Sequence, residues 1–176
     1  MDVALGLLMA QGALGAFDTL FYHEWLQRLP ARAGARTELR LHASRDFAYT
    51  FVFGSLAWLE FRGATVWMLV AVLLFEIVIT LWDFIEEDHT RPLPAGERVM
   101  HTLMAILYGA FLANLVPRLI AWSDGPAAFA PASYGVISWL MSAMAVGVFA
   151  SGVRDLLASL RGGPVTPAGR PSATRR

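Results

Sequence analysis

From Ala64 to Asp83 the chain reads ATVWMLVAVLLFEIVITLWD, with one carboxyl in the middle, Glu76, and one at the end, Asp83. A helix rises 1.5 Å per residue, so about 20 such residues cross the roughly 30 Å hydrocarbon layer of a bilayer. Few folds in water can hide so long an apolar run. Comparable stretches lie at about 2–22, 99–122 and 132–153, and a fifth, about 43–61, is interrupted by Arg45, Asp46 and Glu60. The whole chain is 56% hydrophobic and 16% charged, with mean hydropathy +0.51, outside the usual balance of a soluble domain. The pattern predicts an all-α integral membrane protein with five transmembrane helices in one domain, residues 1–160.

The charges suggest an orientation. All fourteen basic residues are Arg, and twelve of them fall between the first two stretches, between the third and fourth, or from residue 154 onward. With five spans these regions share one side, which the positive-inside rule makes the cytoplasm, leaving the N-terminus outside. The expected location is a bacterial inner membrane. The first stretch begins MDVALG, acidic and without a basic n-region, and reads as a retained span rather than a signal peptide. Residues 161–176 mix Pro, Gly, Ser and Arg without apolar periodicity and read as a disordered cytoplasmic tail. With no Cys, the chain offers no disulfide, thiolate zinc site or Cys-ligated iron–sulfur cluster.

The polar residues inside the apolar frame recur. ELRLHASRDFAYT, Glu38 to Thr50, is echoed by ERVMHTLMAILYG, Glu97 to Gly109, with Glu, His and Tyr at the same spacing. Upstream, Asp18 in FDTLFYHE answers Asp83 in WDFIEEDH, and Gln11 and Glu76 each stand seven residues before their Asp. The chain therefore reads as two tandem helical hairpins, about 2–61 and 64–122, forming a pseudo-symmetric four-helix bundle, with one extra helix at about 132–160.

At 3.6 residues per turn, positions four apart lie about 40° apart around a helix, and positions seven apart nearly eclipse. Glu38, His42 and Tyr49 then share a face, as do Glu97, His101 and Tyr108. Asp18 and Asp83 close spans one and three at the depth where His42 and His101 open spans two and four. Four carboxylates and two imidazoles thus meet at one level just inside the cytoplasmic boundary. Their negative charges would repel unless protonated or compensated, and two divalent cations compensate four. A mixed imidazole and carboxylate set suits iron, manganese or zinc.

This inventory resembles the ferritin-like di-iron carboxylate proteins, in which two helices of a four-helix bundle each give a carboxylate and two each give a Glu and a His one turn apart. The resemblance covers ligand pattern and bundle over roughly residues 11–110. It implies that Asp18, Glu38, His42, Asp83, Glu97 and His101 hold two transition-metal ions, iron first, with zinc or manganese as alternatives. The chain departs from the pattern by using Asp for the single ligands and by spacing Glu and His by four rather than three. Asp reaches less far than Glu, so either the helices approach more closely or Glu24, Glu86 or Glu87 contributes; Glu86 and His89 have the family spacing but lie beyond the span.

Other polar residues receive lesser roles. His23 and His89 are expected at the surface or behind the ligands, and Arg45 and Arg91 beside the acids. Tyr49 and Tyr108, one to two turns deeper, are candidate redox or hydrogen-bonding groups, and Glu76 faces inward. The function expected is oxidation–reduction on a lipid-soluble or small substrate, with membrane lipids, but no nucleic acid, as surroundings and a homo-oligomer among the possible assemblies. Three alternatives use the same residues: a zinc-dependent hydrolase, a haem electron carrier ligated by His42 and His101, and a metal or proton transporter drawing on Glu76 and Gln11.

Overall fold

A computed structural model describes residues 1–32 and 34–161. The expected tail lies outside these residues, apart from Arg161, which ends a helix. The elements are α1 (Asp2–Phe17), continued without a break by a π-helix (Asp18–Leu26), then α2 (Arg36–Trp58), α3 (Val66–Thr90), α4 (Ala95–Ser123) and α5 (Val136–Arg161). Two short strands, β1 (Leu59–Arg62) and β2 (Ala128–Pro131), pair antiparallel with Leu59 opposite Pro131. This ribbon was not evident from the sequence. It ties the α2–α3 connection to the α4–α5 connection, and Gly63 at φ +56° lies where any side chain would strike the backbone at Gly125–Ala127.

Among the described residues four helical segments are long and apolar enough to cross a membrane: Asp2–Leu26, Gly63–Thr90, Ala95–Ser123 and Val136–Arg161. The expectation of five is corrected at α2, whose Arg36, Glu38, Arg40, Arg45 and Asp46 make it too polar. The reason lies in its position. α2 packs along both α3 and α5 and buries ten residues, so Glu38, Arg45 and Asp46 meet protein while Arg40 stays exposed. α3, in contrast, turns Trp67, Leu74, Phe75, Val78, Leu81, Trp82 and Ile85 outward, an apolar surface suited to lipid.

The bundle is divided along its length. At the ribbon end Leu5, Leu8, Phe53, Leu56, Leu69, Phe111, Leu115 and Met141 form a continuous apolar core. At the other end lie most of the buried ionisable side chains, beside a small apolar cluster of Leu29, Ala35 and Leu39. α1 packs on α4 and α2 on α3, while α3 and α4 touch at few positions. α5 lies against α2 so closely that a side chain at Gly152 would press on Asp46 and Phe47.

Candidate metal centre

Helix ends set the positions of the acids. Glu38 and Glu97 occupy the first turns of α2 and α4, where unpaired N–H groups and the helix dipole favour negative charge. Glu87 sits in the last turn of α3, where the dipole opposes it. Arg91, one turn on, offsets this by folding back into the cluster. Its NH1 and NH2 donate to both oxygens of Glu97 at 2.9 and 2.6 Å, its Nε to Glu38 Oε1 at 3.0 Å, and NH2 also to Glu87 Oε1 at 3.3 Å. Burial works against the charge of Arg91, but these acceptors outweigh it and hold its pKa above the ordinary value.

All six residues expected as ligands are buried and meet at this level. Asp83 Oδ2 lies 3.1 Å from His42 Nε2 and accepts from Arg45 NH1 at 2.9 Å. Asp18 Oδ2 lies 3.3 Å from His101 Nε2. Asp18 therefore meets the His of α4, and Asp83 the His of α2, following the helix pairings above. Glu87 stands between the two histidines, Oε1 3.9 Å from His42 Nε2 and Oε2 3.5 Å from His101 Nδ1.

His23 corrects its expected place at the surface or behind the ligands. It is buried at the centre, its ring stacked on His42 at 4.5 Å, with Nε2 3.3 Å from Asp18 and 3.5 Å from Glu97. In an α-helix, positions five apart diverge by about 140°. The π-helix that starts at Asp18 bonds i to i+5, seen directly in Gln27 N–H to Tyr22 O at 2.8 Å, and brings positions five apart back to one face. The Tyr22 hydroxyl lies over Gly96, leaving no space for a side chain there and seating the π segment against the first turn of α4.

Among the described residues two groups of donors could each hold an ion: His23, Glu87, Glu97 and His101, and Glu38, His42 and Glu87, with ligand atoms within 4.8 Å of one another in each group. Glu87 belongs to both. Asp18 Oδ1, His23 Nε2, Glu38 Oε2, His42 Nε2, Asp83 Oδ1 and Glu87 Oε2 are buried and make no hydrogen bond. His42 Nε2 and Asp83 are close without being in line for one, an approach that leaves lone pairs free. Arg91 engages Glu97 twice, yet a carboxylate has about four lone-pair sites, so two remain for a cation.

α5 also reaches the centre, a part that the sequence left open. Asp155 is buried with Oδ2 3.9 Å from His42 Nδ1, and Arg154 holds Asp155 at 2.8 Å while also pairing with Glu24. Of the remaining candidates, His89 is exposed and Glu86 half-buried, so the pair with the family spacing does not join the cluster. Tyr49 and Tyr108 meet each other edge to face at 6.1 Å. They associate with Gln11 and Glu76 rather than with the histidines: Gln11 Nε2 donates to the Tyr49 hydroxyl at 3.4 Å, and Thr80 donates to Glu76 Oε1 at 2.8 Å.

Between these two polar groups runs a cavity of about 650 Å³, with Asp18, Arg45 and His101 at one end and Gln11, Tyr49, Glu76 and Tyr108 at the other. No family model, curated protein or solved structure matches the chain.

Proposed function

We propose that this protein is an integral-membrane metalloprotein holding two transition-metal ions, with iron favoured, and acting as an oxidoreductase. The observation that carries this reading is the pair of buried donor groups sharing Glu87. His23, Glu97 and His101 would hold one ion and Glu38 and His42 the other, Glu87 belonging to both donor groups and Asp18 and Asp83 lying beside them. Glu–His pairs from α2 and α4 then serve one ion each, which supports the two-hairpin reading of the sequence. Charge supports it as well: among the described residues, Asp18, Glu38, Asp83, Glu87 and Glu97 pair with two Arg side chains, Arg45 and Arg91, so three negative charges are left for protons, on the acids or on the facing histidines, or for cations.

Transition-metal ions bound among these mixed nitrogen and oxygen donors would supply electron-transfer chemistry. The chain's own residues position and tune them. Arg91 fixes Glu38 and Glu97, Arg45 fixes Asp83, and Phe84 stacks on the His101 ring at 5.2 Å. A haem between His42 and His101 is opposed by His23, whose ring lies 4.5 Å from one and 6.3 Å from the other. The Arg distribution supports a cytoplasmic position for this end of the bundle.

Elemental analysis of protein purified without added metal tests the reading. About two ions per chain are expected, falling in His42→Ala, His101→Ala and His23→Ala. A wild-type chain that stays free of transition metal after aerobic and anaerobic reconstitution overturns it.

A further inference from the structure

The cavity's inner end forms a second polar station within apolar walls. Glu76 lies seven residues before Asp83 on α3, two turns or about 10 Å deeper. Glu76 and Gln11 are buried, and among the described residues Glu76 Oε2, Gln11 Oε1 and the Tyr108 hydroxyl have no partner within 3.5 Å, the Tyr49 and Tyr108 hydroxyls both facing Glu76 at longer range. Unpaired buried groups of this kind are costly, more so at the depth of a bilayer. The missing partner is chemically defined: two acceptors and one hydroxyl are open, so a single O–H group can donate to Glu76 or Gln11 while accepting from Tyr108.

The space leading to that station is apolar and lined by small residues. Ala13, Ala16, Ala105, Gly147 and Ala150 line it and are exposed, and α1 touches α5 at few positions. The opening is therefore on the side of the bundle, on the surface read as facing lipid, and suits a molecule that arrives dissolved in the membrane.

We propose that this cavity binds a neutral, membrane-soluble alcohol or phenol, its hydroxyl held by Glu76, Gln11 and Tyr108 and its apolar body lying along the cavity toward Asp18 and His101. The hydroxyl-binding residues are not among the metal ligands, so this site stands or falls independently of the metal reading. Tyr108 is here a ligand-binding residue, and Glu76 a hydrogen-bond acceptor rather than a step in an ion path.

The test is photolabelling of the full chain in lipid nanodiscs with a diazirine-bearing dodecanol, alongside diazirine-bearing dodecane and dodecylamine, and with labelled residues mapped by mass spectrometry. The alcohol is expected to label the cavity walls on α1, α3 and α4, to be competed by unlabelled dodecanol and not by dodecane, and to do the same in His42→Ala. Tyr108→Phe should weaken competition about threefold to tenfold, the loss of one hydrogen bond. Glu76→Gln, which keeps an acceptor oxygen, should retain most of it. Elution volume of each variant, and metal content of the Tyr108 and Glu76 variants, unchanged from wild type, separate lost binding from lost folding. Equal labelling by the alkane, no effect of Tyr108→Phe, or preference for the amine with loss in Glu76→Gln would each overturn the proposal.

Discussion

α1 with its π-helical continuation and α3 begin from the same instruction and end differently. Each carries a polar residue, then an Asp seven positions later, and both Asp residues reach a His on a neighbouring helix. Beyond the Asp, α3 stays α-helical and presents Glu87 four residues on, whereas the other segment widens and presents His23 five residues on. One helix supplies the carboxylate between the two donor groups, and the other supplies the third imidazole. A small change in backbone hydrogen bonding thus turns two similar segments into complementary halves of one centre.

The comparison breaks most severely at Glu87. Glu87→Ala should cost both ions and lower metal content at least ~tenfold, more than the loss of any residue that serves one group alone, as read by elemental analysis. Arg91→Met comes next. It leaves Glu38, Glu87 and Glu97 buried without their cation and should destabilise the metal-free chain by about 3–5 kcal/mol, seen as a lowered thermal midpoint that added metal partly restores. Arg91→Lys keeps the charge without the fork and should fall between.

His23→Ala sharpens the difference between the two segments, because its sequence counterpart Asp88 is exposed. The first should weaken metal affinity about 10–100-fold and the second leave it unchanged in a chelator competition. Acidification should release metal, since imidazole and carboxylate bind only when unprotonated, and the released protons can be counted on rebinding at neutral pH. The smallest effect belongs to His89→Ala: metal content equal to wild type, because an exposed ring takes no part.

Much of the centre was legible beforehand. Glu38 with His42 and Glu97 with His101 could be placed because each pair begins an α-helix, where the angle per residue is constant and the first turn welcomes an acid. The span count failed at α2 for a related reason. Hydropathy measures what a helix would show to lipid, and α2 shows much of its polar surface to α3 and α5. His23 was misplaced because an α-helical wheel was carried through a segment that is π-helical.

The sequence by itself determined the long apolar helices, the repeated polar spacing and the depth at which Asp, Glu and His would gather. Those depend on periodicity and on the thickness of hydrocarbon, which are local or global constants. Only the tertiary structure decided that Glu87 lies between two donor groups, that Arg91 folds back among three carboxylates, and that Asp155 of α5 stands behind His42. Each is a meeting of side chains from different helices or their connections, whose approach is set by packing angles and by one change of helix type, and no spacing along a single segment encodes it.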